Sequence, residues 1–212
     1  MDKQREKTIG FIGLGAMGAG MAMNLLRAGK AMKVFDIVSE KMQQFSAAGA
    51  VAADSIADLV SSCDVIMTSL PSAVAMVDLA GSILIPGAAN GQIFIDLGTI
   101  TAPQARELGK QFTDKGAFFL DAPVSGGPSG AAEGSLYVFI GGDPNVAGEC
   151  LPLFRIIGNA DHVVYCGASG SGQIVKGVNQ MAMGLGAAAH LEAIAFGVRA
   201  GVSASIINDA IG

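Results

Sequence analysis

Short apolar runs alternate with segments of helical periodicity over most of the chain. The apolar runs predict β-strands over residues 9–12, 32–35, 63–70, 92–97, 117–120, 136–140 and 162–165. Helical spacing follows residues that favour helix starts, which are Ser39, Ser55, Thr101 and Asp143. The run CDVIMTSL at 63–70 is apolar almost throughout, as in parallel strands buried on both faces. This alternation predicts a mostly parallel, doubly wound α/β sheet in residues 1–168.

The pattern changes after Gly170, where one helical run extends from about residue 171 to about residue 200. At 1.5 Å per residue this helix would be about 45 Å long. Because it is apolar on nearly every face, more than one surface must cover it. We therefore predict that residues 169–212 hold a long helix that starts an all-helical second domain. A partner subunit or a further domain would bury it, and we expect a homo-oligomer formed through these C-terminal helices.

A transmembrane span is the alternative for this long run. Ionisable groups inside a bilayer are costly. The polar residues that interrupt the run are Lys176, Asn179, Gln180, His190 and Glu192. We therefore expect no membrane partner.

A glycine-rich hexapeptide, Gly13-Leu14-Gly15-Ala16-Met17-Gly18, lies between the first predicted strand and the first predicted helix. In this context Gly13 permits a tight turn, Gly15 lets the backbone approach a pyrophosphate, and Gly18 lets the helix lie close to the strand. The phosphates would sit on the open N–H groups of the helix start. The hexapeptide predicts a dinucleotide site, whereas a glycine-rich turn without a ligand is the alternative.

Asp36 follows the second predicted strand. A carboxylate there accepts hydrogen bonds from the adenosine ribose and repels a 2'-phosphate, which favours NAD over NADP. The next basic residue is Lys41, which weakens the case for a clamp on a 2'-phosphate. Ligands of open α/β sheets bind beyond the carboxyl ends of the strands. Leu70 and Pro71 are therefore expected near the nicotinamide, and Thr99, at the end of a further strand, completes the predicted cofactor residues.

Polar residues at the start of the long helix are candidates for catalysis. Lys176, Asn179 and Gln180 are spaced i, i+3, i+4 and so share one helix face. A partly buried lysine has a lowered pKa and can act as an acid or base, whereas an amphipathic helix also accommodates a lysine that reaches solvent. Ser125, Gly126 and Gly127 follow another strand and could hold a carboxylate on backbone N–H groups, or form a plain glycine turn.

Composition and charge limit the classes of partner that the protein can bind. The net charge is -5, with no basic stripe of the kind that nucleic acids require, so we expect no nucleic-acid partner. The three cysteines, Cys63, Cys150 and Cys166, lack disulfide or metal-ligand spacing, and we expect no metal. The N-terminal heptapeptide MDKQREK mixes both charge signs, unlike a signal peptide or an acid-poor transit peptide. We expect a cytoplasmic protein.

The order of these motifs resembles the β-hydroxyacid dehydrogenase family, which includes 3-hydroxyisobutyrate dehydrogenase and tartronate semialdehyde reductase. The matching pieces are FIGLGAMG, Leu70-Pro71, DLGTI at 96–100, DAPVSGG at 121–127 and GQIVKGVNQ at 172–180. The Asn179-Gln180 pair looks more like the L-threonate dehydrogenase branch. The resemblance implies a Rossmann-type NAD-binding domain similar to that of 6-phosphogluconate dehydrogenase.

This resemblance also implies roles for single residues. Lys176 would be the catalytic acid/base, Asn179 would hold the substrate beside it, and Ser125, Gly126 and Gly127 would bind the substrate carboxylate and hydroxyl. Family members continue into a further helical domain that closes the cleft. We therefore expect that this chain is truncated there, that a partner completes the site, or that the activity is impaired.

The expected function is hydride transfer between NAD and a small 3-hydroxy acid of the 3-hydroxyisobutyrate, tartronate semialdehyde or threonate type. Two alternatives stay open. One is a non-catalytic dinucleotide-binding homologue or fragment, and the other is an NADPH-linked reductase of small aldehydes or imines. The sequence does not select one acid from these three types.

Overall fold

A computed structural model describes residues 7–211 of the 212-residue chain. The expectation of no signal or transit peptide depends on the N-terminal heptapeptide. Except for Lys7, this heptapeptide lies outside the described residues. The chain divides into two compact units, one that ends at Lys176 and one that begins at Gly177.

The first unit alternates strands and helices as predicted. Its strands are β1 (Ile9–Ile12), β2 (Met32–Phe35), β3 (Val51–Ala52), β4 (Val65–Thr68), β5 (Ile93–Asp96), β6 (Phe118–Asp121), β7 (Val124–Ser125), β8 (Leu136–Gly141) and β9 (Gly158–Gly167). Its helices are α1 (Gly18–Arg27), α2 (Ser39–Ala47), α3 (Ile56–Ser62), α4 (Ala73–Leu79), a π-helical turn (Ala80–Leu84), α5 (Ile85–Gly87), α6 (Ala102–Asp114), α7 (Gly127–Glu133), α8 (Pro144–Ile157) and the first turns of α9 (Ser171–Arg199).

The strands form one sheet in the order β3-β2-β1-β4-β5-β6-β8-β7, and β9 pairs with β8. From β3 to β6 every pairing is parallel. The direction reverses at β8, which is antiparallel to β6 and β7 and parallel to β9. The prediction of a mostly parallel, doubly wound α/β sheet followed by a long helix is confirmed. Two short strands, β3 and β7, and helix α7 were not predicted.

Helices cover both faces of the sheet, which explains the continuous apolar runs. In β5, Ile93 and Ile95 pack into one hydrophobic cluster and Phe94 packs into the other. The same alternation places Val65 and Ile66 of β4 on opposite faces. Because side chains alternate along a strand, a strand buried on both faces needs apolar residues at successive positions.

Three of the four predicted helix caps are present. The side chains of Ser55, Thr101 and Asp143 each accept hydrogen bonds from backbone N–H groups of the helix that follows. The prediction for Ser39 was wrong, because this residue lies inside α2, whose N-cap is Val38 and has no side-chain bond. Capped helices start at defined residues, so these caps fix where the loops between strands and helices end.

The second unit, from Gly177 onward, contains the rest of α9 and helix α10 (Ala204–Ile211). Gly201, at φ +99°, ends the first helix. A Cβ at Gly197 would lie 2.5 Å from Ile207 Cδ1, so glycine permits the two helices to approach. Among the described residues, α9 is the one helix with the length and mean hydropathy, 1.4, of a membrane-spanning helix. Core helices of soluble proteins meet the same two criteria.

Candidate functional site

A cavity of about 510 Å³ lies beyond the carboxyl ends of β1, β2 and β4. Most of the predicted cofactor residues line it, namely Gly13, Gly15, Ala16, Met17, Gly18, Asp36, Leu70 and Pro71. Leu14 and Thr99 lie outside this lining. The backbone N–H of Leu14 donates to Asp36, and Thr99 is exposed after β5. The sequence did not predict the apolar side of this cavity, which is formed by Ile37, Val38, Ile56 and Leu79. Such a surface can pack against a flat apolar ring of a ligand.

The three motif glycines have the geometries that a phosphate-binding turn requires. Gly13 has a φ of +93°, and a Cβ at Gly18 would lie 1.9 Å from the carbonyl oxygen of Gly13. A Cβ at Gly15 would meet no atom within 4 Å, so this glycine faces open space. No side chain caps the start of α1, where an anion can take the place of a cap. These features fit the pyrophosphate of a dinucleotide.

Asp36 is a buried carboxylate at the end of β2. Its Oδ2 accepts from the N–H of Leu14 at 2.7 Å, and its Oδ1 accepts from the N–H of Val38 at 2.9 Å. The ammonium of Lys41 is 3.3 Å from Oδ1. Burial acts to raise the pKa of Asp36, but these hydrogen bonds and Lys41 bring the net pKa below its usual value. The carboxylate stays charged beside the cavity, where it can accept from ribose hydroxyls.

Lys41 was discounted in the sequence because it lies five positions after Asp36. Its place near the start of α2 returns its side chain to the carboxylate and to the cavity lining. The cation offsets part of the negative charge of Asp36. Repulsion of a 2'-phosphate is therefore weaker than Asp36 alone would give.

The segment DAPVSGG joins β6 to α7. Ser125 ends β7 and is half-buried. Gly126, at φ +136°, is the N-cap of α7, and Gly127, at φ +68°, is its first residue. Side chains would strain the backbone at both glycines. The structure therefore replaces the predicted glycine loop by a strand end and a helix start.

The first turn of α9 packs against the carboxyl ends of β5 and β6. The carboxylate of Asp121, the last residue of β6, accepts from the N–H of Gly170 at 2.7 Å and from the N–H of Gln173 at 3.1 Å. Burial raises the pKa of Asp121 despite these bonds. Sequence reasoning missed both Asp121 and Gln173, since their partners lie far away along the chain.

Lys176 lies one turn beyond Gln173 in α9, and only 8% of its surface is exposed. Desolvation by burial lowers the pKa of its ammonium. The burial agrees with the first of the two sequence interpretations and not with a lysine that reaches solvent. Asn179 belongs to the second unit, where its amide donates to Oε1 of Gln180 at 3.5 Å.

A third buried carboxylate, that of Asp96, lies at the end of β5. Oδ1 of Asp96 accepts from the hydroxyl of Thr68 and from the N–H of Gly98, each at 3.0 Å. Its Oδ2 is the one buried side-chain N or O atom without a hydrogen-bond partner in the described part of the chain. Complete burial, together with the nearby charge of Asp121, raises the pKa of Asp96 to about 6. Among residues 7–211 no group of three or more His, Cys, Asp or Glu side chains could hold a metal ion.

Replacement of Asp96 with Asn should remove a pH dependence of folding stability. Because its pKa rises from 3.8 to about 6 on folding, protonated Asp96 favours the folded state below pH 3.8, and this contribution is lost as the pH rises through 6. Two pKa units correspond to about 3 kcal/mol. The unfolding free energy of the wild type relative to Asp96→Asn should fall by about that amount between pH 4 and pH 8, as measured by urea unfolding.

Asp58→Asn is the matched control. The hydrogen bond from Lys33 lowers the pKa of this half-buried carboxylate, so its contribution is present at neutral pH and lost as the pH falls. The two variants should differ from the wild type with opposite pH trends. Parallel profiles for the wild type and Asp96→Asn would contradict the assignment.

The chain is similar in sequence and structure to several known proteins. The family model for the NAD binding domain of 6-phosphogluconate dehydrogenase matches residues 8–170. The NAD-dependent L-serine dehydrogenase of Pseudomonas aeruginosa is 38% identical over 203 residues, which are 95% of this chain and 67% of that protein. The mitochondrial 3-hydroxyisobutyrate dehydrogenase of Rattus norvegicus is 35% identical over 201 residues, 94% of this chain and 59% of that protein.

A solved structure agrees with these sequence matches. The 3-hydroxyisobutyrate dehydrogenase of Mycobacterium tuberculosis with L-serine superposes with a TM-score of 0.89 at 33% identity. The match covers 97% of this chain and 69% of that chain. The chain thus spans between 59% and 69% of the length of the relatives named here.

Proposed function

The chain belongs to the β-hydroxyacid dehydrogenase family and carries an NAD-binding domain of the 6-phosphogluconate dehydrogenase type, and from this premise we propose that it transfers a hydride between NAD and a small 3-hydroxy acid. The relatives named for L-serine and 3-hydroxyisobutyrate support this substrate class. Both are small acids with a hydroxyl on the carbon β to the carboxylate. Threonate-like and tartronate-semialdehyde-like acids belong to the same proposal.

The cavity at the glycine-rich turn holds the cofactor in this proposal. The open N–H groups at the start of α1 bind the pyrophosphate, and Gly15 leaves space for its approach. Asp36 accepts hydrogen bonds from the adenosine ribose. Leu70, Pro71 and Thr99 follow β4 and β5 and border the nicotinamide half. NAD, when bound, accepts the carbinol hydride during oxidation.

Lys176 is the acid/base of the proposed reaction. In oxidation its neutral amine takes the hydroxyl proton of the substrate, and in reduction its ammonium returns that proton. The burial that lowers its pKa makes the neutral amine accessible nearer to physiological pH. This buried lysine, in a helix turn bonded to the ends of β5 and β6, is the single observation that carries the proposal.

In this proposal, the segment that starts at Asp121 orients the substrate. Ser125 and the backbone of Gly126 and Gly127 bind the substrate carboxylate and hydroxyl in the proposal, and Asn179 holds the substrate beside Lys176. Asp121 supports this arrangement. Its carboxylate accepts hydrogen bonds from backbone N–H groups at the start of α9, and the segment that follows Asp121 leads to Ser125. Fixed orientation of both reacting bonds is a large part of such catalysis.

A panel of small 3-hydroxy acids tests the proposal directly. L-Serine, 3-hydroxyisobutyrate, threonate and glycerate are each incubated with the protein and NAD, and NADH absorbance is recorded. We expect turnover of at least one acid and tighter binding of NADH than of NADPH. Binding of NADH without turnover of any acid would favour a non-catalytic dinucleotide-binding protein. Tighter binding of NADPH, with turnover of small aldehydes or imines, would favour the reductase alternative.

Two wider proposals concern domains and assembly. We propose that residues 1–168 act as the NAD-binding domain and that residues 169–212 begin a helical domain, as the family match to residues 8–170 supports. We also propose a cytoplasmic homo-oligomer formed through the C-terminal helices. Exposed apolar side chains of the second unit support it, and the most exposed are Val178, Met181, Met183, Leu185, Leu191, Phe196, Ile206 and Ile211.

A further inference from the structure

Gln173 is a buried glutamine that joins two elements of the first unit. Only 5% of its surface is exposed. Its side-chain Oε1 accepts from the N–H of Ile100 at 3.2 Å, and its Nε2 donates to the carbonyl of Gly98 at 3.1 Å. The amide thus spans the loop that contains Thr99, and it satisfies a donor and an acceptor that the end of β5 leaves open.

The backbone of the same residue is fixed from a second strand. The N–H of Gln173 donates to Asp121 of β6, whose other oxygen accepts from Gly170. Gly172 permits this close approach, because a Cβ there would lie 2.6 Å from the backbone carbonyl oxygen of Asp121. The first turn of α9 is therefore attached to β5 by a side chain and to β6 by backbone N–H groups.

Lys176 follows Gln173 by three residues, so the two lie on one side of the helix in successive turns. We propose that Gln173 is a positioning residue, which fixes Lys176 relative to the Gly98–Ile100 loop beside the nicotinamide. The inference rests on the proposed function, in which Lys176 exchanges the substrate proton. A displacement of about 1 Å of a catalytic group lowers rates by up to about a hundredfold.

Gln92 provides a matched control, because a purely structural role would give both glutamines the same phenotype. Gln92 is also buried, and its amide donates to the carbonyls of Val60 and Cys63 and accepts from the N–H of Ala89. It precedes β5, whereas Gln173 bonds the loop after β5. Gln92→Met and Gln173→Met each remove hydrogen bonds to backbone groups, but at opposite ends of this strand.

The test compares Gln173→Met, Gln92→Met, Lys176→Met and the double variant Gln173→Met/Lys176→Met. We measure the melting temperature, the dissociation constant for NADH, kcat with the best acid of the panel, and the pKa of Lys176 by NMR of lysine labelled at Cε. Gln173→Asn, which keeps the amide but shortens its reach, replaces Gln173→Met if that variant does not fold.

Gln173→Met should lower kcat about 10- to 100-fold with little change in NADH affinity, and the pKa of Lys176 should rise toward its ordinary value as the amine becomes hydrated. Gln92→Met should lower the melting temperature but leave kcat within about twofold and the pKa of Lys176 unchanged. In the Lys176→Met background, Gln173→Met should cause no further loss of kcat.

Three results separate failure of this inference from failure of the proposed function. If Gln173→Met lowers kcat by the same factor with and without Lys176, or leaves the pKa of Lys176 unchanged, the positioning role is overturned. If Lys176→Met keeps wild-type turnover, the acid/base role is wrong. In that case a raised pKa in Gln173→Met still supports positioning of the amine, and an unchanged pKa overturns it.

Discussion

Replacement of Lys176 with Met should lower kcat for oxidation of the 3-hydroxy acid about 1,000-fold, within the range typical of lost acid/base catalysis. Met has a similar length and packs in the same buried place, but it cannot take the hydroxyl proton. The dissociation constant for NADH should stay within about twofold, because Lys176 lies outside the lining of the nucleotide cavity. Steady-state rates and NADH fluorescence titration measure the two quantities.

Lys115→Met is the control for this substitution, since Lys115 is an exposed lysine at the end of α6. It should leave both kcat and NADH affinity unchanged. Equal losses of turnover and NADH binding in Lys176→Met would contradict the catalytic assignment, since they would indicate a damaged cofactor site.

The pH dependence of the wild-type rates is a second test of the acid/base role of Lys176. Oxidation needs the neutral amine, so kcat should rise as the pH rises through the lowered pKa of Lys176. Reduction needs the ammonium, so its rate should fall over the same pH range. The opposite slopes distinguish a lysine acid/base from a general alkaline effect on the protein.

The sheet could be predicted from the sequence because its strands are buried on both faces. Continuous apolar runs such as β4 and β5 are hard to mistake when helices alternate with them. The two-residue strands β3 and β7 have no such signal, because they form through pairing with longer neighbours. Helix α7 was missed since GPSGAAE holds two glycines and a proline, and its tertiary contacts with α1 outweigh this weak local preference.

Only part of the candidate site is local in sequence. The glycine turn and Asp36 lie in one strand-helix-strand unit, so their spacing indicates the nucleotide pocket. Lys176 could be selected by its place at the start of the long helix. In contrast, Gln173 bonds Ile100 and Gly98, over seventy residues earlier, and no pattern along the chain predicts such a contact. Lys41 was undervalued because its distance in sequence hides the return of α2 toward Asp36.

Replacement of Gly15 with Ala should weaken cofactor binding without unfolding the protein. The new methyl group would meet no protein atom within 4 Å, and the φ of Gly15 is not in the left-handed region, so we expect an unchanged melting temperature. The methyl group would enter the space that the pyrophosphate must occupy. Loss of one or two charge-assisted hydrogen bonds should weaken NADH binding about 10- to 100-fold, as measured by fluorescence titration.

Substitutions at two further glycines complete this experiment, because they separate an effect on ligand binding from an effect on folding stability. Gly18→Ala would place a Cβ 1.9 Å from the carbonyl oxygen of Gly13, so it should lower the unfolding free energy by about 1–3 kcal/mol as well as weaken NADH binding. Gly148→Ala, at an exposed position in α8 with no atom within 4 Å, should leave NADH affinity unchanged and stabilise the helix by about 0.5–1 kcal/mol. If Gly15→Ala bound NADH as tightly as Gly148→Ala, the pyrophosphate could not lie over this turn, because a methyl group at residue 15 and a phosphate cannot fill the same space.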